Sequence, residues 1–448
     1  MERVVTGEQL QKMMSEVLPE RVIRELVGAV NLQERQRKLD ALALVRSLVL
    51  TGGTPGGGRQ VDVLRHYQKL EAPKVARGAF YAWFNEKLGI LMTALGTHAC
   101  AYARAMPVHL PGPLAMRRDW RAIDSTTIKL PDALKASFPG TGDYASLKVH
   151  KEYSLGVENV VDYHITPGRD HDGPELRVDA SRRGTGLVVD LGYASQKLVA
   201  DCRAHDVFLV MKWKSGWRVF LDQNLDDRDP AWLSGRGLQG LQIGDRIPET
   251  AEGDIDIDVT IGPDDAPIPL RLVGVHTEKG QVFFLTTIPR SAIVGADVAT
   301  IYRLRWCIEL DNKLSKSACR LDDIGAETDT SALILVHAAM IASILSNAIV
   351  HADHLNRGAV GDRKVPFTKA PLHSMAVAKM LAASAWQIAE MMGDPETTPK
   401  AWERVAGEVR HMGIDPNWRS KPSVMDIVKG RVARPARHRR ERRHSEAN

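Results

Sequence analysis

The sequence predicts a mixed α/β fold, in which a sheet with mixed strand directions lies between helical N- and C-terminal regions. Strand-like runs and helix-like runs alternate between about residues 119 and 316, which is the order of an α/β sheet. On both sides of this region the apolar residues recur at helical spacing. A chain of 448 residues suggests two to four domains and has ample material for a core.

The overall composition is typical of a soluble globular protein, with 44% hydrophobic and 26% charged residues. The net charge of +5 does not by itself indicate a nucleic-acid partner, because the sum hides how the charges are distributed. The four cysteines form no Cys-x2-Cys pair and no Cys/His cluster, which disfavours structural zinc and favours a reduced, cytosolic setting. The first twenty residues have no apolar core, so we expect no signal peptide.

Residues 1–115 are predicted to form a helical N-terminal region that binds DNA. Residues 60–70 and 75–88 have helical patterns on either side of a short turn, which is the outline of a helix-turn-helix. The second stretch carries cationic and aromatic side chains. An ordinary helical hairpin fits this pattern as well as a DNA-binding element does.

The predicted α/β domain begins with residues 116–214. Residues 120–126 form a strand that ends near Asp124, and residues 186–189 form a short β-branched strand that ends at Asp190. The remaining predicted elements are a hairpin at 146–155 and 157–166, a helix at 195–205 and a fully apolar central strand at 207–211.

Residues 215–291 are predicted to be a β-rich insertion, and residues 292–350 complete the α/β domain. The insertion is rich in turns and contains strand candidates at 255–261, 268–275 and 281–288. Residues 331–350 are nearly long and apolar enough to cross a membrane. Because polar residues such as His337 and Asn347 interrupt this run, we favour a buried core helix and expect no membrane contact.

Residues 351–428 are predicted to be a helical C-terminal region, followed by a basic tail at 429–448. Eight of the fifteen residues 429–443 are Lys or Arg, against a single acid, Glu441. A solvated tail and a nonspecific phosphate-binding arm both fit this composition, and we favour the arm.

A spaced set of polar residues near residue 300 is the most informative motif of the chain. It has the form Tyr302-x2-Arg305-x3-Glu309-x6-Lys316. On one continuous helix these side chains fall within an arc of ~60°. Apolar residues border this stripe on both sides, namely Ile301, Ile308, Trp306, Leu310 and Leu314. A narrow charged stripe with apolar borders indicates a pocket or a partner rather than a solvated face.

Asp124, Asp190 and Glu309 can converge at one edge of the predicted sheet. Three neighbouring carboxylates repel one another unless cations neutralise them, and Mg²⁺ or Mn²⁺ prefers such oxygen ligands. Two ions of this kind can activate the nucleophile and stabilise the leaving oxygen of a phosphodiester. Taken alone, an aspartate at a strand end is more often a cap or a turn residue, so the motif around Glu309 is the stronger signal.

The motif from Tyr302 to Lys316 resembles that of the cut-and-paste DDE transposases of the bacterial insertion-sequence-four group. Residues 123–126 and 188–193 are similar to the family's first and second aspartate blocks. The resemblance covers about residues 119–320 and implies a ribonuclease-H-like fold whose metal-binding catalytic triad is Asp124, Asp190 and Glu309. It also implies that Tyr302, Arg305 and Lys316 contact the transposon end.

The same resemblance implies DNA cleavage at the element ends, hairpin formation and strand transfer into target DNA. We therefore predict a bacterial DNA transposase with endonuclease activity, two Mg²⁺ or Mn²⁺ ions in the active complex, and a homodimer in the synaptic complex. Its expected location is cytoplasmic, with the nucleoid. One alternative is a metal-dependent nuclease that cuts without joining. Another is a catalytically silent DNA-binding relic, which the presence of all three acids disfavours.

Several further residues have two interpretations. Lys212 and Lys214 flank Trp213 after an apolar strand, where they could line a DNA groove or simply be exposed lysines. Trp217 and Trp232 could hold an extruded base or belong to the core. The turn that carries His164, Asp170, His171 and Asp172 looks superficially like a metal cluster, but Asp and His in turns usually cap backbone groups.

Overall fold

In the part of the chain that the structure describes, nine strands form one sheet in the centre of the protein. The computed structural model describes residues 4–32, 40–51, 59–70, 74–214, 217, 219–221, 255–263, 265–277, 280–358, 367–394, 398–418 and 420–432. Within these residues the strands are β1 (Asp119–Leu130), β2 (Ala145–Ser154), β3 (Asn159–Pro167), β4 (Thr185–Val189), β5 (Phe208–Lys212), β6 (Phe220–Leu221), β7 (Ile255–Ile261), β8 (Ile268–Thr277) and β9 (Gly280–Thr286).

The strand order across the sheet is β3-β2-β1-β4-β5-β9-β8-β7-β6. Strands β1, β4 and β5 are parallel to one another. Strand β2 is antiparallel to β1 and to β3, and β9 is antiparallel to β5. This mixed sheet with helical flanks confirms the predicted α/β, ribonuclease-H-like fold class.

The described strands of the predicted β-rich insertion belong to the same sheet as the rest of the domain. Strand β9 pairs with β5 through Val210 and Thr286, and β8, β7 and β6 follow in antiparallel order. In β7 buried residues alternate with half-buried ones, whereas β4 is buried along its whole length. That difference follows from position, because β4 lies in the middle of the sheet and β7 lies near its edge.

The helices lie mainly before and after the sheet. The N-terminal helices are α1 (Gly7–Val17), α2 (Glu20–Ala29), α3 (Ala41–Leu50), α4 (Gln60–Lys69), α5 (Arg77–Tyr81) and α6 (Glu86–Ala105). The helices within the domain are α7 (Gln196–Ala204), α8 (Gly295–Arg303), α9 (Trp306–Lys313) and α10 (Asp329–Gly358). The C-terminal helices are α11 (Ser374–Ala383), α12 (Ala385–Gly393), α13 (Pro399–Met412) and α14 (Val424–Val428).

The second helix of the predicted helix-turn-helix is shorter than the sequence suggested. Helix α5 ends at Tyr81, and Asn85 caps α6 by accepting a hydrogen bond from the backbone N–H of Leu88. Trp83, which the sequence placed on a helix, lies in the intervening turn. It is buried against Phe80 and the ring of Tyr67. The aromatic packing of this turn therefore outweighs the helical pattern of residues 75–88.

The motif helix is not continuous, which corrects the sequence analysis. Helix α8 ends at Arg303, α9 begins at Trp306, and a π-helical turn (Leu314–Ala318) follows α9. The backbone is wound more tightly between α8 and α9, because Leu304 and Arg305 donate backbone hydrogen bonds to carbonyls only three positions earlier. Leu304 is completely buried, so packing against the core fixes this break.

Helix α10 is the long apolar element that the sequence left open as a membrane span. Among the described helices it alone is long and apolar enough to cross a membrane by length and composition. However, 89% of its most apolar window is buried within the protein. It packs against α6, α11, α3 and α1, which confirms the predicted core helix.

Two cations at the start of the predicted basic tail are buried rather than free. Lys429 donates a hydrogen bond to the Glu158 carboxylate at 2.9 Å, and Arg431 binds both oxygens of the same carboxylate. These residues therefore anchor the chain beside the β2–β3 turn and are not available for phosphate. The predicted arm would begin after them, and residues 433–448 lie outside the described part of the chain.

Candidate active site

Asp124 lies in the middle of β1, not at a strand end as the sequence suggested. Strand β1 continues to Leu130 because β2 pairs with it along that length. The parallel neighbour β4 ends earlier, and the last pair between them is Ile123 with Val189. Asp124 is thus the first residue of β1 beyond its last pair with β4.

Asp190 directly follows β4, as predicted. Its backbone carbonyl accepts a hydrogen bond from the N–H of Tyr193 at 3.1 Å, which closes a turn after the strand. Because β1 and β4 are parallel neighbours, this turn brings Asp190 beside Asp124. The two carboxylates are close enough for the charge of Asp190 to raise the pKa of Asp124.

Glu309 reaches the same place from α9, which packs across β1 and β2. Arg305 lies between the acids: its guanidinium is 3.9 Å from the Asp124 carboxylate and forms an ion pair with Glu309. The three acids predicted from the sequence therefore share one neighbourhood, with a cation from the same motif among them.

The pKa of Asp124 is raised from 3.8 to about 6, and burial is the largest cause. Within that net change, Arg305 and the hydrogen bond from the Ser125 N–H lower the pKa, and the nearby carboxylates of Asp190 and Glu309 raise it. The guanidinium of Arg305 and the ammonium of Lys316, which also acts on Asp124, carry fewer charges than the three acids, so the site favours an additional cation.

Asn312 belongs to this site, although the sequence analysis missed it. Its amide Nδ2 donates a hydrogen bond to Asp124 Oδ2 at 3.1 Å. Its Oδ1 is buried and has no hydrogen-bond partner among the residues that the structure describes. Asn312 lies three residues after Glu309 and therefore on the same face of a helix. This spacing is the signal by which the sequence could have indicated Asn312 as a site residue.

The donor atoms of this site are oxygens, which suit a hard divalent ion. Two carboxylates come from neighbouring strands, the third comes from α9, and the unpaired Oδ1 of Asn312 adds a neutral oxygen. Within the described residues, no group of three or more His, Cys, Asp and Glu side chains is arranged closely enough to hold a metal as it stands. Arg305 instead provides the positive charge between the acids, so binding an ion requires its guanidinium to move.

The other residues of the motif surround this centre in different ways. The ring of Tyr302 is buried against Phe284, with the ring centres 5.0 Å apart, so base stacking on this ring is not supported. Lys212 is exposed at the end of β5, and its ammonium lies 5.7 Å from the Tyr302 ring centre. Lys316 is half-buried on the π-helical turn, and burial lowers its pKa.

Two apolar residues that bordered the predicted stripe are exposed. Trp306 is 57% exposed and Leu310 is 38% exposed, whereas Ile301, Ile308 and Leu314 are buried as the pattern predicted. The break between α8 and α9 changes the direction in which Trp306 and Leu310 point. A partly apolar surface therefore adjoins Glu309.

The described tryptophan and lysine candidates that remain follow β5 in the chain. Trp213 packs edge-on against Phe283, and Trp217 packs on the apolar core formed around β4 and β7. Lys214 is exposed. Trp232 lies outside the described residues. These positions favour the core interpretation for Trp217 and leave a role for Lys214 open.

The turn that resembled a metal cluster is held by ion pairs and hydrogen bonds. Lys148 pairs with Asp172 at 3.0 Å, and His164 contacts Glu175 at 2.9 Å. Asp172 also accepts a hydrogen bond from Ser125 at 2.9 Å. These contacts join the turn to β1 at Ser125, next to Asp124, and they are made between side chains rather than by the backbone capping that the sequence suggested.

The fold and the site together define an α/β domain in which a mixed sheet and a late helix bring three carboxylates into one neighbourhood. The profile of the family described as "Transposase DDE domain" matches residues 116–345, just over half of the chain. The chain belongs to this family.

Curated relatives agree with this assignment. The chain is 26% identical over 249 residues to InsL of insertion sequence element IS186A from Escherichia coli (strain K12) and to the transposase of insertion sequence element IS421 from Escherichia coli. Each alignment covers 50% of this chain and 66% of the relative, just under two thirds of its length. The transposase of IS231B from Bacillus thuringiensis subsp. berliner is 26% identical over 107 residues, 22% of each chain.

Among solved structures, the piggyBac transposase in a synaptic complex with hairpin DNA is similar to 93% of this chain and 87% of its own. The TM-score is 0.43 and the sequence identity is 10%. At these values the likeness carries no inference about this chain.

Proposed function

We propose that the protein is a DNA transposase that excises an insertion sequence by metal-dependent cut-and-paste chemistry and joins it to target DNA. The observation that carries this proposal is the meeting of Asp124, Asp190 and Glu309 around Arg305. Within the transposase family, we assign the chain to the insertion-sequence-four group because it contains the full Tyr302–Lys316 spacing.

Asp124, Asp190 and Glu309 would hold Mg²⁺ or Mn²⁺, and we propose two ions in the active complex. When bound, such ions activate a water or a DNA 3′-hydroxyl and stabilise the leaving oxygen of the phosphodiester. The two aspartates are fixed by paired strands of the sheet, whereas Glu309 depends on the placement of α9. The rigid sheet thus supplies two ligands, and the helix sets the third.

Arg305 would exchange partners during the reaction. In the structure its guanidinium neutralises Asp124 and Glu309. Once metal charge replaces it, the guanidinium can turn to a non-reacting phosphate, for which its planar array of donors is well suited. This single side chain therefore links metal binding to DNA binding.

Lys316, Lys212 and the hydroxyl of Tyr302 would contact the transposon end. Lys316 and Lys212 lie on separate elements near the acids and can provide donors to backbone phosphates. The hydroxyl of Tyr302 is buried like its ring, so a contact between this hydroxyl and DNA would require the side chain to become exposed when DNA binds. Phosphate contacts of this kind position the duplex without reading its sequence.

The proposal includes a homodimer in the synaptic complex, because joining two element ends requires two active sites. It places the protein in the bacterial cytoplasm, associated with the nucleoid, where its DNA substrates are found. The helical region of residues 1–115 would bind the element's ends.

The test compares wild-type protein with Glu309→Gln on a supercoiled plasmid and on linear DNA carrying the native element with its flanking sequence. Reactions contain Mg²⁺, Mn²⁺ or EDTA. We expect metal-dependent cleavage and joining by the wild type and a loss of at least about a hundredfold in the variant, since each metal-supported charge contributes several kcal/mol.

Glu327→Gln provides the matched control, because it makes the same chemical change on an exposed residue away from the acids. It should react as the wild type does. Cleavage without joined products would favour the nuclease alternative. DNA binding without any metal-dependent product, in wild type and variant alike, would reject the proposed chemistry in favour of a DNA-binding relic.

A further inference from the structure

We propose that a buried ion pair between Lys151 and Asp311 positions Glu309 against Asp124, and so sets the geometry of the metal site. The inference rests on the proposed function, because it concerns how the three acids are brought together. The two residues belong to β2, which pairs with the strand that carries Asp124, and to α9, which carries Glu309.

The pair is almost completely inaccessible to solvent. The Lys151 ammonium donates a hydrogen bond to Asp311 Oδ2 at 2.8 Å, and the two side chains are 0% and 1% exposed. The ammonium also donates to Ser315 Oγ at 2.5 Å. Burial of this degree is rare for lysine and aspartate unless each is paired.

The second oxygen of Asp311 is also satisfied. Asp311 Oδ1 accepts hydrogen bonds from Asn347 Nδ2 at 2.7 Å and from Ser343 Oγ at 3.3 Å. Both donors lie on the core helix α10. One carboxylate therefore joins α9 to β2 on one side and to α10 on the other.

Each member of this network adjoins a residue of the candidate site. Lys151 is the register partner of Asp124 in the β1–β2 ladder. Asp311 lies two residues after Glu309, and Ser315 immediately precedes Lys316 on the π-helical turn. A displacement of the pair would therefore move three site residues together.

Stability alone is a weak explanation for such a pair. Removing two charges from water is costly, and well-packed apolar residues in their place are often neutral or stabilising. Apolar contacts are non-directional, whereas charged hydrogen bonds fix distance and angle. We infer that the pair is a positioning device: it fixes the placement of α9 on the sheet more narrowly than apolar packing would.

The test replaces both charges at once, as Lys151→Met with Asp311→Leu. Mn²⁺ binding to the purified full-length protein is followed by the electron paramagnetic resonance of free Mn²⁺, and thermal unfolding is recorded in parallel. We expect the double variant to fold and its Mn²⁺ affinity to fall about 10- to 100-fold, the range for residues that orient metal ligands.

The matched control is a second buried ion pair, Arg357 with Asp353 on α10, whose side chains are 4% and 0% exposed. Its replacement by Arg357→Met with Asp353→Leu should leave Mn²⁺ affinity unchanged, because the described hydrogen-bond partners of this pair are backbone groups of Lys369 and Leu372 rather than residues of α9 or the β1–β2 ladder. A fall in Mn²⁺ affinity of equal size in the control would overturn the inference, because it would show that the loss of any buried ion pair weakens Mn²⁺ binding.

Unchanged Mn²⁺ affinity in the folded Lys151/Asp311 double variant would also overturn it. If that variant does not fold, Lys151→Arg replaces it, since the charge remains and only its reach and shape change. A loss of at least about tenfold is then expected, and wild-type affinity would contradict the inference. Failure of the proposed function is distinguishable, because Glu309→Gln would then bind Mn²⁺ as the wild type does.

Discussion

Two groups of charged side chains meet on opposite sides of helix α9, and their charge balance differs. On one side, three acids share the single guanidinium of Arg305, and Asp124 and Glu309 are 20% and 28% exposed. On the other side, Asp311 is matched by Lys151 and has hydrogen bonds to both oxygens. We call Lys151 and Asp311 the closed group, because their charges balance each other within the fold. We call Asp124, Asp190, Glu309 and Arg305 the open group, and we propose that a further cation binds there to balance its charge.

Breaking the closed group should have the largest effect on stability. Lys151→Met leaves the buried Asp311 carboxylate without its counter-ion, so we expect a loss of about 3–5 kcal/mol in the free energy of unfolding. Urea denaturation measures this loss. A loss below about 1 kcal/mol would mean that the pair is not the closed group that we describe.

Removing an acid from the open group should have the opposite effect. Asp124 has a raised pKa, so the folded protein binds this proton more tightly than the unfolded chain does. Its contribution to the free energy of unfolding therefore decreases as the pH rises from about 4 to about 6, and the ionised carboxylate is unfavourable above that range.

Asp124→Asn should accordingly raise the free energy of unfolding at pH 8, without metal, by an amount on the order of 1–3 kcal/mol. The same variant should lose metal-dependent cleavage. Urea denaturation at pH 8 and at pH 4 provides the comparison, since the gain should largely vanish at the lower pH. An equal gain in the free energy of unfolding at pH 8 and at pH 4 would show that ionisation of Asp124 does not cause the gain.

Arg305→Gln should give the smallest effect, a shift in pH dependence. The guanidinium lowers the pKa of Asp124, so its removal should raise the midpoint of pH-dependent Mn²⁺ binding by about one pH unit. Calorimetric titrations with Mn²⁺ between pH 5 and pH 8 would measure that midpoint, with Arg303→Gln on the neighbouring helix end as the control. A midpoint that does not move would place Arg305 outside the open group.

The sequence predicted the open group better than the closed one. Asp190 follows a short β-branched strand, and the motif of Glu309 has a specific spacing, so local patterns indicated both. Lys151 and Asp311 are 160 positions apart in the chain, and neither belongs to a pattern that marks it as a partner. Contacts of this kind depend on strand register and helix placement, which single-sequence patterns do not contain.

The break between α8 and α9 shows the same limit. The spacing from Tyr302 to Lys316 is compatible with one helix, and a continuous stripe was the direct prediction. Leu304 is buried, and the backbone hydrogen bonds beside it join residues only three positions apart, which interrupts that helix. Trp306, which follows the interruption, is exposed. The spacing thus included Arg305 and Glu309, which form an ion pair, but it did not indicate the local conformation of this stretch. The roles of the motif residues stay predictions.

The central claim is that Asp124, Asp190 and Glu309 form one metal-binding centre. A crystal of the full-length protein soaked in Mn²⁺, with anomalous diffraction data, tests it most directly. We predict anomalous peaks bounded by these three carboxylates, with the guanidinium of Arg305 turned away from them. The absence of a peak among the three carboxylates, with Arg305 still paired to Glu309, would contradict the account.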